Sequence, residues 1–161
     1  MKAGNHVTKL TRHSPVAGHP LVESQSLALT QSTQMFRERM VAWLISRLSD
    51  DGFDGLKANQ LTFLGSLDCG VNYAAALARS LGISRQAVHK TVKEMEKYGW
   101  LATRPDETLK NQRVIVFTAE GERMMARARE YFLELDDQLI QKFGQENLAE
   151  LQNLLAFDPS A

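Results

Sequence analysis

Residues 72–118 read NYAAALARSLGISRQAVHKTVKEMEKYGWLATRPDETLKNQRVIVFT, and the punctuation of this stretch decides the fold. Gly82-Ile83-Ser84 separates two runs of helical period. The first, Tyr73 to Leu81, is rich in alanine and stops at Gly82, which tolerates the left-handed backbone of a tight turn. Asn72 stands where its N-cap is expected. The second run is capped by Ser84, continues to about Tyr98 and closes at Gly99. The period then shortens. Trp100 to Thr103 and Arg113 to Phe117 read as strands, and Arg104 to Gln112 between them holds the turn formers Pro105 and Asp106.

Helix, tight turn, helix and hairpin, in that order, predict a winged helix-turn-helix, with the helix pair at about 73–98. Leu77, Ala78, Leu81, Ile83, Val88, Val92 and Met95 are expected to fill the space between the two helices. The small Ala74, Ala75, Ala76 and Ala78 allow close backbone approach. Removing that face from the second helix leaves Arg85, Gln86, His89, Lys90, Lys93 and Lys97 pointing outward. Such a helix lies in the major groove of DNA, where Arg85 and Gln86 in its first turn have the chemistry to read guanine and adenine. Lys90 and Lys93 suit phosphates, which position a protein without reading sequence. Lys110 and Arg113, in the hairpin, are placed to reach a flanking minor groove or backbone. Exposed lysines and arginines occur on any helix, and an exposed loop is ordinary. What favours the DNA reading is their company in one helix-turn-helix with a basic hairpin.

Outward from this segment, the pattern predicts a helix over Leu27 to Leu48, with Leu29, Phe36, Met40, Trp43, Leu44 and Leu48 at three- and four-residue steps. Asp50 to Gly55 is a turn-rich break, and Leu56 to Leu67 reads as a short helix burying Leu56, Leu61, Leu64 and Leu67. Thr118 caps a long helix to Phe143, roughly 37 Å at about 1.5 Å per residue, and Glu146 to Phe157 forms the last. The expected fold is mainly α with a small β-hairpin wing. Residues 1–23 read as a flexible tail, 24–161 as one winged-helix domain, and 27–48 and 119–157 as dimerisation helices. The long helix carries Met124, Ala128, Tyr131, Phe132, Leu135 and Leu139, more apolar surface than a short last helix covers, so a homodimer is expected. Met124 and Met125 belong to that packing and not to a cofactor site.

The 161 residues carry a formal net charge of zero, but unevenly. Between Asn72 and Thr118 eight Lys and Arg face four Asp and Glu, an excess of four positive charges set against an acidic remainder. No Gly-rich phosphate loop or nucleophile elbow is present, and an enzyme is not expected. His6, His13 and His19 have no metal-ligand spacing, so neither metal nor cofactor is expected. The single cysteine, Cys69, has no partner for an intramolecular disulfide and fits a reducing cytoplasm; it reads as a structural or incidental thiol. No apolar run has the length of a membrane span.

Leu77-Ala78, Leu81-Gly82-Ile83-Ser84, Val88, Met95-Glu96, Gly99-Trp100-Leu101, Arg104 and Phe117-Thr118 followed by Gly121 together resemble the multiple antibiotic resistance regulator (MarR) family. The motifs lie in 72–121, and the architecture extends over about Leu27 to Phe157. The resemblance implies a transcriptional regulator working as a dimer, its first and last helices intertwined and its two winged modules on a pseudo-palindromic operator. It also implies a repressor that lets go when a small-molecule effector binds. The sequence departs from the family at two places. His89-Lys90 stands where the recognition helix often has Thr-Arg, and Leu109-Lys110-Asn111 where the wing often has Asp-x-Arg. Lys110 or Arg113 is then expected to replace the missing wing arginine. The altered wing also leaves a second reading, a winged-helix protein-interaction module without operator binding.

Overall fold

A computed structural model of the chain describes residues 24–109, 111–158 and 160. The element order is α1 (Gln25–Asp50), α2 (Ala58–Leu64), α3 (Ala74–Leu81), α4 (Arg85–Lys97), β1 (Leu101–Pro105), β2 (Arg113–Phe117), α5 (Ala119–Phe143) and α6 (Gln145–Leu155). Four helices, a hairpin and two further helices are the order that the hydrophobic period predicts. The chain forms two compact units, residues 1–41 and 42–161. In the first, the described residues are Ser24 and the start of α1. Ser24 Oγ accepts from the Leu27 amide at 3.2 Å, and Leu27, Leu29, Met35 and Phe36 are exposed.

The second unit holds the core. Leu44 and Leu48 on α1, Leu61 and Leu64 on α2, Val88 and Met95 on α4, and Met124 and Ala128 on α5 are all buried. With Val92 between Val88 and Met95, each set repeats at three or four residues, so each helix turns one apolar stripe inward. Tyr131 joins α5 to the end of α1. Its hydroxyl donates to Asp51 Oδ2 at 2.6 Å, and the guanidinium carbons of Arg47 and Arg127 each lie 4.5 Å from its ring centre. Arg127 Nε also donates to Asp51 Oδ2 at 2.7 Å. The Tyr131 hydroxyl, then Arg127, hold the Asp51 carboxyl below the usual carboxylate range.

Each helix of the α3–α4 pair is closed at its C-terminus by glycine. At Gly82 (φ 63°) Ile83 N donates to Ala78 O at 3.0 Å, and at Gly99 (φ 73°) Trp100 N donates to Met95 O at 3.1 Å, the six-to-one bond of a Schellman stop. Ile83, expected in the core, is instead 40 % exposed, because the turn uses its backbone and leaves its side chain outside. Leu67 is half-buried, beyond the end of α2. Phe53, Phe63 and Gln60 are buried in addition to the residues the period picks out.

β1 and β2 pair antiparallel from Leu101↔Phe117 to Pro105↔Arg113. Asn72 makes an isolated bridge to Ile115 on the other side of β2, with N···O distances of 3.0 and 2.8 Å. This corrects its expected role as the N-cap of α3. Tyr73 occupies that position, without a side-chain cap bond. Asn72 is buried, its Oδ1 accepting from Asp68 N at 2.9 Å and its Nδ2 donating to Asp68 O at 3.0 Å. A buried amide must fill its donors and acceptors. Asn72 does so by bracketing the turn before α3 onto the wing.

The wing base meets α5 at a close contact. Thr118 caps α5 by accepting from Gly121 N at 3.0 Å, and its own amide donates to Trp100 O at 3.1 Å. A Cβ on Gly121 would lie 2.0 Å from Trp100 O, so only glycine fits there.

Candidate nucleic-acid interface

The site is built on α4. Ser84 Oγ accepts from the Ala87 amide at 3.1 Å, satisfying one free donor of the first turn and fixing where the helix begins. Val88, Val92 and Met95 anchor the helix to the core. At about 100° per residue, Gln86, Lys90, Lys93 and Lys97 then fall within about 50° of the opposite pole, His89 stands about 90° round from it, and Arg85, about 130° round, is at the first position of the helix. All six are exposed. Arg85, Gln86, His89 and Lys90 make no side-chain hydrogen bond or ion pair with another described residue. The face thus presents donors at the helix start and positive charge along its length.

Lys93 is different. Its Nζ lies 2.7 Å from Glu96 Oε2, although the lysine side chain remains 75 % exposed. An exposed pair of this kind contributes only about 0–1 kcal/mol and is readily exchanged for a phosphate. Glu96 also accepts from Thr103 Oγ1 at 2.6 Å, which ties α4 to β1. Lys93, then Thr103, hold the Glu96 carboxyl below its ordinary value. On the other flank Gln60 accepts from Lys57 N at 2.9 Å and donates to Glu94 Oε2 at 3.2 Å, a link from α2 to α4. Glu94 and Glu96 are therefore braces for the helix.

Of the two wing cations singled out in the sequence, Lys110 lies outside the described residues. Arg113 is exposed at the tip end of the strand pair, opposite Pro105, and its Nη2 donates to Thr103 O across the pair at 3.0 Å. It pairs with neither Asp106 nor Glu107. Asp106 instead organises the tip. Oδ1 accepts from Thr108 N, Thr108 Oγ1 and Leu109 N at 2.8, 2.8 and 3.0 Å. Oδ2 accepts from the Tyr73 hydroxyl at 2.5 Å. Neither Tyr73 nor Gln60 stands out in the sequence, because their partners lie 33 and 34 residues away.

The tail histidines His6, His13 and His19 lie outside the described residues, among which no group of three His, Cys, Asp or Glu is arranged to hold a metal ion. Cys69 is exposed with Arg129 Nη2 at 3.9 Å from its Sγ, a cation beside the thiol that the sequence does not indicate. No helix among the described residues is long and apolar enough to cross a membrane.

Residues 54–108 match the sequence model of the MarR family. No curated protein matches the sequence. Among solved structures, a mutant of MarR from E. coli complexed with operator DNA is 19 % identical, with a TM-score of 0.63 over 81 % of this chain and 92 % of that one. The apo form of wild-type MarR from E. coli is 17 % identical, with a TM-score of 0.61 over 84 % and 96 %. A MarR-like transcriptional regulator from Thermotoga maritima is 17 % identical, with a TM-score of 0.65 over 83 % and 93 %. The resemblance first carried by the motifs of 72–121 thus holds at two levels: residues 54–108 have the MarR family's sequence pattern, and the chain has the winged-helix fold of MarR structures.

Proposed function

We propose that the protein is a sequence-specific DNA-binding transcriptional regulator, and not an enzyme, that lays α4 in the major groove. The observation that carries this reading is the outward face of α4. A capped, core-anchored helix leaves Arg85, Gln86, His89, Lys90 and Lys93 exposed in one arc. Arg85 and Gln86, in the first turn, have the chemistry to read base edges, while Lys90 and Lys93 have that of phosphate contacts. Lys110 and Arg113 supply the wing's contacts. That a protein of similar fold, a mutant of MarR from E. coli, was crystallised with operator DNA supports a DNA-binding reading.

The acting form is a homodimer. No residue of α6 is buried, and Leu133 on α5 and Phe157 after α6 are 65 % and 76 % exposed. An apolar surface of this extent calls for a cover, and a second copy of the chain supplies one. Two copies offer two recognition helices to half-sites about one helical turn of DNA apart. Repression, with release by a small effector, is the mode that the family resemblance favours.

The test is a mobility-shift titration on the DNA upstream of the protein's own gene, across a salt series, with random DNA as competitor. Cognate binding should be tighter, and log affinity should fall linearly with log salt. Arg85→Ala should weaken cognate binding by about 1–3 kcal/mol and blur preference at one base position. Equal loss on cognate and random DNA would make Arg85 a phosphate contact. Absence of any DNA binding would leave the protein-interaction module standing.

A further inference from the structure

We propose that Tyr73 is a positioning residue: its hydrogen bond to Asp106 latches the wing tip to the start of α3, so that wing and recognition helix meet DNA as one preset unit. This rests on the DNA-binding reading above.

A hairpin tip of polar residues is ordinarily free to swing, and a free tip must be ordered when it binds, at a cost in affinity. Here one carboxylate prevents that twice over. With Oδ1 Asp106 gathers the Thr108 and Leu109 amides and so shapes the turn, and with Oδ2 it takes the Tyr73 hydroxyl at 2.5 Å. The Asp106 amide closes the tip by donating to Gln112 O at 2.9 Å. Tyr73 is itself held, because its neighbour Asn72 is paired to Ile115 of β2. The segment entering α3 is therefore stitched to the wing at the middle of β2 through Asn72 and at its tip through Tyr73. The Glu96–Thr103 bond of 2.6 Å makes the third tie, from α4 to β1.

The charge of Asp106 supports this role. An acid at the tip of a hairpin that approaches phosphate opposes binding, so its presence calls for a structural reason. The Tyr73 hydroxyl, then the backbone amides of Thr108 and Leu109, hold its carboxyl well below the usual carboxylate range. The bond is thus charge-assisted, the stronger kind of hydrogen bond.

Tyr73→Phe removes the hydroxyl and keeps the ring; Asp106→Asn keeps an acceptor for the turn and removes the charge. Amide exchange at Asp106, Thr108 and Leu109 in the free protein should quicken by about ten- to a hundred-fold in Tyr73→Phe, the opening expected when one hydrogen bond to a charged group is lost. Unchanged exchange in both variants overturns the latch, whatever the DNA result. Affinity for cognate DNA should fall by about two- to ten-fold in Tyr73→Phe, the cost of ordering the tip on binding. The same substitution should then be silent in a Lys110→Ala, Arg113→Ala background, where the wing's contacts are already gone. Equal loss in both backgrounds overturns the positioning role, since Tyr73 would then act through α3 and not the wing. If the unaltered protein binds no DNA, the regulatory reading and the positioning role fall together, and the exchange rates still decide the latch.

Discussion

Replacing Gly121 by alanine adds one methyl group where α5 crosses the wing base. The added Cβ would sit 2.0 Å from Trp100 O, 2.9 Å from Trp100 C and 3.1 Å from Phe117 Cδ1. Ordinary contact begins near 3.4 Å, so the first turn of α5 and the Trp100 carbonyl must part by more than 1 Å. Neither partner is the end of a flexible side chain. The separation strains the Thr118 N–Trp100 O bond of 3.1 Å and the bond from Thr118 Oγ1 to Gly99 O. It also loosens Met124, which is fully buried one turn further along. Overpacking costs about 1–3 kcal/mol, and two weakened hydrogen bonds add about 0.5–1.5 kcal/mol each. Alanine's better helix propensity returns about 1 kcal/mol. The net expectation is a loss of about 1–5 kcal/mol, or about 2–20 °C in melting temperature for a chain of this size. Urea unfolding at fixed protein concentration should show a lower midpoint with an unchanged slope. Gly70→Ala is the control, since nothing lies within 4 Å of its added Cβ and its φ is not positive. A Gly121→Ala protein as stable as the unaltered chain would refute the close approach.

Ser84→Ala removes the acceptor for the Ala87 amide and should destabilise the protein by about 1 kcal/mol, read in the same unfolding assay. Asp51, whose folded-state pKa is depressed, contributes stability that is present above its unfolded value and lost as pH falls through the folded one. Asp51→Asn should therefore flatten the acid limb of a stability–pH curve, and an unaltered limb would show that the Tyr131 and Arg127 contacts contribute nothing there. Sedimentation at micromolar concentration should find dimers, and Leu133→Glu together with Phe157→Glu should shift the population to monomer; a monomeric unaltered protein would reject the proposed pairing. Lys110→Ala with Arg113→Ala should flatten the plot of log affinity against log salt by about 0.9 per lost phosphate contact. Lys57→Ala, outside the module, should leave that slope unchanged.

The helix-turn-helix was legible because its signals are local. The Leu77, Ala78, Val88, Val92 and Met95 spacing, the Gly82 stop and the Ser84 cap each involve residues within one or two helical turns, and all take their expected places. Strand β2 runs from Arg113 to Phe117 as the change of period indicates, and α5 from Ala119 to Phe143. The outward arc of α4 follows from the same period, as what remains once the buried stripe is removed. Asn72 shows where such reasoning ends. Its residue type suits a cap, but a partner 43 positions away claims it for the sheet. Gly121 is similar. The motif marks the glycine, while the reason for it is the Trp100 carbonyl, which only the packing of α5 on the wing brings near. Arg113 reads as a wing contact to DNA, yet the strand pairing sets its guanidinium on Thr103 O. The sequence alone settled most features whose energy lies in contacts along one helix or turn, Ile83 and Leu67 being the exceptions. The partners of Asn72, Gln60, Tyr73 and Gly121 were decided by tertiary structure, because a polar bond or close contact between distant residues leaves no periodic trace in the chain.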